Sequence, residues 1–204
     1  MALISFPTTL KVRAVTWGQT RRDTRYDSSF GSQSVEIAAP VWSVSIVAPP
    51  MKDADAGSWK AFLMKLRGTT NQVDMWDMMR PYPLGTMRGT MTLNAGITAG
   101  DVTVSIIAAT QAAKTLLAGD MIGVGTGTSQ QVVMVVADAT ANGSGVISVT
   151  VEPPFRDAHS IAAAVTWDKP KALFRLTQSS TKWGYSSGAL VSGFTLDLSE
   201  DWRA

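Results

Sequence analysis

The chain has no cysteine and a single histidine, His159, among its 204 residues. Without thiols there is no thiolate nucleophile, iron–sulfur cluster, zinc ribbon or disulfide framework, and one histidine excludes a multi-histidine metal centre. Charge is scarce as well: 18 Lys+Arg against 16 Asp+Glu amount to 17% of the residues and a net +2, below the roughly 25% usual in soluble domains. So small an excess gives no concentrated basic face for nucleic acid or an anionic membrane, and neither partner is expected. Long apolar runs are missing too. The longest, Val132 to Ala137, has six residues, where a helix crossing a bilayer needs about 20. The opening Met1 to Pro7 lacks a basic segment followed by an apolar one, so no signal peptide is expected and synthesis is placed in a cytoplasm. No cofactor is expected.

What is present is distributed unevenly. Of the sixteen aromatic side chains (7 Trp, 3 Tyr, 6 Phe), only Phe155 lies between Thr86 and Thr166. That stretch also holds nine of the 17 glycines but eight of the 34 charges, with a local net of −2. One composition interrupting another suggests an inserted domain, entered through Pro81, Pro83 and Gly85 and left through Lys169-Pro170. The expected architecture is therefore a discontinuous domain of residues 1–85 and 168–204 with a module of residues 86–167 looped out of it.

Periodicity assigns most of both parts to strands. Trp42-Ser43-Val44-Ser45-Ile46 alternates with period two and ends at Pro49-Pro50. Trp59, Phe62, Leu63 and Leu66 fall at i, i+3, i+4 and i+7 and predict one short helix, with Asp53 and Asp55 as N-terminal caps and Gly68 as its left-handed stop. Val73 to Met78 reads as a strand after it. In the middle, Val102–Ile106, Met121–Val124, Val132–Val136 and Ile147–Val151 are strands, with Asn142-Gly143-Ser144-Gly145 as the turn before the last. Four or five such strands in about 80 residues close most simply into a small barrel. Ala172–Thr177 and Val191–Leu198 complete the set. The fold class is mainly β: a β-sandwich with one short helix, split by an inserted small β-barrel.

Catalytic patterns fail one by one. Gly119 to Gly127 is glycine-rich but lacks both the G-x-G-x-x-G spacing with a following helix and a Gly-Lys-Ser/Thr, so it reads as a strand and a turn. Asp74 and Asp77 stand three apart on an expected strand and face opposite sides, with Arg80 as an ion-pair partner. His159 lies in an expected surface loop, and no nucleophile elbow occurs anywhere. No catalytic, cofactor-binding or metal residue is assigned, and the chain is not expected to be an enzyme.

Interface candidates are more promising. Arg21, Arg22, Arg25, Tyr26 and Phe30 sit in a polar segment without period, which is either an interface arm or an ordinary exposed loop; arginine and tyrosine are enriched at binding hot spots. Trp59 belongs to the core, whereas Trp183 and Trp202 serve either core or interface.

The order of features resembles a known family. Ser28-Ser29-Phe30-Gly31-Ser32-Gln33, Trp42, the helix ending Phe62-Leu63-Met64-Lys65-Leu66-Arg67-Gly68, Val73-Asp74-Met75-Trp76-Asp77 and Arg80-Pro81-Tyr82-Pro83-Leu84-Gly85 resemble the amino-terminal half of phage distal tail and related tail-tip proteins. Leu117 to Gly125, Gln131 to Val135, Asp138 to Gly145 and Val151-Glu152-Pro153-Pro154-Phe155-Arg156 are similar to the small β-domain inserted in many tailed-phage tail proteins, and Leu190 to Glu200 fits the family's closing strand. The resemblance implies a structural virion protein that forms a ring, a hexamer in the usual case, at the distal end of the tail between the tail tube protein and the hub or tip proteins. The alternative is a carbohydrate-binding module assisting adsorption, with a host surface glycan as partner.

Overall fold

The computed structural model describes residues 2–186 and 190–201. In chain order the first elements are β1 (Leu3–Ser5), β2 (Ala14–Ser28), β3 (Gly31–Val47), β4 (Met51–Lys52), α1 (Asp53–Leu66) and β5 (Gln72–Met75). There follow β6 (Met91–Leu93), β7 (Thr103–Ile107), β8 (Thr115–Leu116), β9 (Met121–Val124), β10 (Gln131–Val135), β11 (Ala139–Thr140), β12 (Val146–Glu152) and β13 (Ala164–Thr166). The last are β14 (Ala172–Leu176), β15 (Gly184–Ser186), β16 (Leu190–Ser192) and β17 (Thr195–Glu200). The fold is mainly β with one α-helix among the described residues, and it divides into two units. One comprises the chain up to Thr20, Val41–Met75 and the chain from Leu173; the other comprises Arg21–Pro40 and Trp76–Ala172.

The first unit contains the strands β1, β5, β14 and β17 and the inner parts of β3 and β2 of a six-stranded sheet in the order β1-β5-β14-β17-β3-β2, with β1 and β5 parallel, and a small sheet ordered β15-β16-β4. Alternation along β3 buries Trp42, Val44 and Ile46, as their spacing predicts. α1 buries Ala56, Trp59, Phe62, Leu63 and Leu66. Its aromatic face meets Phe6, whose ring lies 5.3 Å from that of Phe62, and Phe194, stacked 5.9 Å from Trp59. Trp59 also donates its indole N–H to the Lys11 carbonyl at 3.1 Å. Trp59→Ala is expected to cost about 3–5 kcal/mol by leaving a cavity and an unpaired carbonyl; a shift of the denaturant midpoint with an unchanged slope is the measurement that checks it.

Both ends of α1 differ in detail from the sequence expectation. Lys52 stands at the N-cap and no side chain caps the helix. Asp53 and Asp55 instead lie inside the first turn, where the helix dipole favours carboxylates; Asp55 pairs with Lys11 at 3.0 Å and Asp53 with Lys60. The left-handed stop begins one residue early, at Arg67 (φ 51°), and continues through Gly68 (φ 59°). The expected strand 191–198 is two strands. Gly193, at φ +82°, breaks it, so β16 pairs with β4 while β17 pairs with β3.

In the second unit, six strands close into a barrel in the order β10-β12-β7-β6-β13-β9. Four of them, β7, β9, β10 and β12, match the predicted strands to within a residue or so at each end. β6 and β13 are three residues long, too short to show a period. The interior is aliphatic, filled by Leu93, Ile106, Ile122, Val133, Val149 and their neighbours, with Phe155 among them. The turn from 142 to 145 forms as its residues predict. The Asn142 side-chain oxygen accepts the N–H groups of Ser144 at 2.9 Å and Val146 at 3.0 Å. Gly145 has φ +76°, and a Cβ there would lie 2.2 Å from the Ala108 oxygen, so glycine alone fits.

Arg21–Pro40, expected in the discontinuous domain, belongs to the second unit. The compositional boundary at residue 85 also falls inside that unit, whose longer segment begins at Trp76. Local bonding explains why. The carboxylate of Asp120 accepts from the backbone N–H groups of Leu84 and Gly85, and the Arg88 guanidinium donates to the carbonyls of Pro83 and Gly85. The approach is closed to a larger residue at 85, where a Cβ would sit 2.3 Å from the Thr115 oxygen.

Candidate functional site

The segment from Arg21 to Phe30, expected to be a loop or extended arm, is the outer half of β2 and the two turn residues that follow it. It forms a hairpin with β3, closed by the two residues Ser29-Phe30. At the tip, the Ser28 hydroxyl donates to the Gly31 carbonyl at 3.1 Å and accepts the Phe30 N–H at 3.3 Å. The polar pattern hid the strand because no face of it is turned to a core. Every residue of 21–37 is exposed except Thr24, which is half-buried. From Pro40 inward the alternation of buried side chains begins.

This ribbon carries apolar side chains that nothing covers. Phe30 is 100% exposed, Ile37 68%, Tyr26 64% and Val35 44%. A two-stranded ribbon is marginal in water by itself, and unpaired outer edges template pairing with other chains. Its base is held by ionic and backbone contacts within its own unit. Arg21 Nη2 lies 3.0 Å from Glu152 Oε2, and Arg156 Nη2 donates to the Pro40 carbonyl at 3.2 Å. Further out, Arg25 pairs with Asp27 at 2.9 Å, both more than half exposed.

The structure therefore gathers five of the seven predicted interface residues, Arg21, Arg22, Arg25, Tyr26 and Phe30, on one hairpin, all exposed. Trp183 is not among them. It belongs to the other unit, half-buried and stacked 6.2 Å from Phe194, which continues the Trp59 stack. Lys60 lies 5.9 Å over the Trp183 ring and 5.0 Å over that of Tyr185. Hydrogen bonds to Asp53 and the Tyr185 hydroxyl hold the Lys60 ammonium above its usual range, because both favour its charged form. Trp202 lies outside the described residues.

Arg80 does not pair with a carboxylate; its guanidinium donates to the Gly119 carbonyl at 2.9 Å, while Asp77 accepts the Met79 N–H at 2.9 Å. His159 is not a surface residue but half-buried. Its backbone bridges to Ile97, its ring stands edge-on to Phe155 with centroids 6.1 Å apart, and Nε2 is enclosed without a hydrogen-bond partner. Gly119 to Gly127 is a strand, β9, and a turn in which Gly125 takes φ +91° and Gly127 φ +61°. Among the described residues no group of three or more His, Asp or Glu is placed to hold a metal ion. Phe155, at 1% exposure, offers no ring face to a sugar.

A second surface feature was not visible in the sequence. β1 is an edge of the six-stranded sheet, so its outer side is unpaired. Beside it runs a groove of about 670 Å³ lined by Ala2, Ile4, Met64, Lys65, Arg67 and Asn71. A continuation of about 290 Å³ shares Ile4 and Lys65 and follows the chain past Pro7 to Leu10. Met64, in the lining of the first, is 53% exposed. Joining β1 to the last turn of α1 requires tertiary structure, since 60 residues separate them. No protein-family model matches the chain, and no curated protein does.

Proposed function

We propose that this chain is a structural protein of a bacteriophage tail, assembling through its hairpin arm into a ring at the distal end of the tail, between the tube and the tip or hub proteins. The observation that carries the reading is the ribbon 21–37, exposed on both faces and tipped by a fully exposed phenylalanine. Single exposed apolar residues are ordinary on a surface; several on one unsupported ribbon mark an interaction element. The ordered resemblance of the sequence to distal tail proteins supplies the setting, a hexameric ring made in the host cytoplasm and carried at the tail tip of the virion.

The test combines light scattering on the purified chain at high concentration with electron microscopy of virions carrying a label on this protein. The expected mass is six times the 21.7 kDa of the chain, and the label is expected at the distal end of the tail. A chain that stays monomeric and is absent from particles overturns the reading.

A further inference from the structure

Resting on the ring reading, we propose where the arm of one copy docks: Phe30 seats in the groove between β1 and α1 of the next copy, and the ribbon lies along the open edge of β1. The arm presents apolar side chains without cover, and the groove is lined on its apolar side by Ala2, Ile4 and Met64, the last about half exposed. The fit extends to the backbone. β1 offers one unpaired side over residues 3–5, which a strand laid beside it satisfies by β-addition.

Charge favours a second copy as the occupant. The charged side chains lining the groove are both cations, Lys65 and Arg67. Asp27 stands three residues before Phe30, and its exposed pairing with Arg25 is of a kind worth under about 1 kcal/mol and easily exchanged. With Phe30 in the groove, Asp27 comes within reach of these cations. The seventeen exposed or half-exposed residues of the ribbon, 21–37, approach the roughly 20 that a standard interface takes from each side. Arm and groove are different surfaces of one chain, so their contact is heterologous, the class that closes into rings when the rotation permits.

The absence of cysteine makes the test clean. Two single-cysteine chains, Ser29→Cys and Met64→Cys, replace exposed residues, keep Phe30 and leave both cores intact. They are mixed at assembling concentration, oxidised and run without reducing agent, with each variant alone as control and light scattering on every sample. The expected result is a disulfide-linked dimer from the mixture and a monomer from each variant alone. A dimer from Ser29→Cys alone overturns the proposal in favour of tip-to-tip contact. Oligomers in scattering with no dimer from the mixture overturn the docking and leave the ring reading standing. A monomer in every sample, including the unsubstituted chain, overturns both.

Discussion

Asp120→Ala is expected to lower the stability of the barrel unit by about 3–5 kcal/mol, which places it among the severe single substitutions. The Asp120 side chain is 0% exposed. Its Oδ1 accepts the Leu84 N–H at 2.6 Å, and its Oδ2 accepts those of Gly85 at 3.0 Å and Leu117 at 2.8 Å. Removing the carboxylate leaves three backbone N–H groups unsatisfied, each worth about 1–3 kcal/mol, and entry of water relieves part of the sum. The consequence is local before it is global. Asp120 ties the 84–85 entry segment to the 117–120 turn, so its loss frees the strap that leads into β6. Asp120→Asn is expected to fall between Ala and the natural residue, since an amide keeps one acceptor oxygen but turns N–H groups toward a donor. Asp138→Ala, which removes one exposed bond to the Ala118 N–H, is the control and is expected to cost under about 1 kcal/mol. Denaturant unfolding followed by hydrogen exchange at residues 84–86 checks both parts. An Asp120→Ala chain with the control's midpoint and unchanged protection there contradicts the account.

Where one face of an element meets a core, its pattern was readable in the sequence. The period-two run 42–46 and the i, i+3, i+4, i+7 set from Trp59 to Leu66 are visible because burial selects the side chains facing it. The same logic explains what could not be read. The outer halves of β2 and β3 have no buried face, so Arg21 to Ser28 carries no period although it is a strand. β1, β6 and β13 have three residues each, less than two full alternations. The break at Gly193 is conformational, and hydrophobicity continues across it from Val191 to Leu196. For the site, residue chemistry alone singled out Arg21, Arg22, Arg25, Tyr26 and Phe30 as an interface set, and the hairpin places them together. The groove beside β1 was beyond reach, because Ile4 and Met64 become neighbours through the fold. Asp120 was seen within a glycine-rich run, but its three donors come from segments up to 36 residues away.

Phe30→Ser combined with Ile37→Ser is expected to abolish assembly while leaving the fold as it is. Both side chains are exposed, at 100% and 68%, and neither belongs to a buried core. Surface substitutions of this kind shift stability by within about 0.5 kcal/mol. At an interface the same residues act as anchors, and truncating an anchor costs at least about 2 kcal/mol, close to a 30-fold loss of affinity at each contact. A ring multiplies that loss, because every subunit contributes one arm and receives another. Even partial weakening per contact therefore dissolves the closed assembly over a narrow range of concentration. Arg22→Ser is the informative comparison. Its side chain is exposed on the same ribbon but is polar, and a rim charge changes the association rate and its salt dependence more than the equilibrium. Sedimentation velocity across a concentration series separates the outcomes. The double variant is expected to run as a monomer with an unchanged unfolding midpoint, whereas Arg22→Ser is expected to assemble at low salt with altered kinetics. Assembly of the double variant at the concentration of the natural chain means that the arm is not the contact. Loss of its folded baseline means that the ribbon supports the fold instead, and that result argues against the arm as strongly as the first.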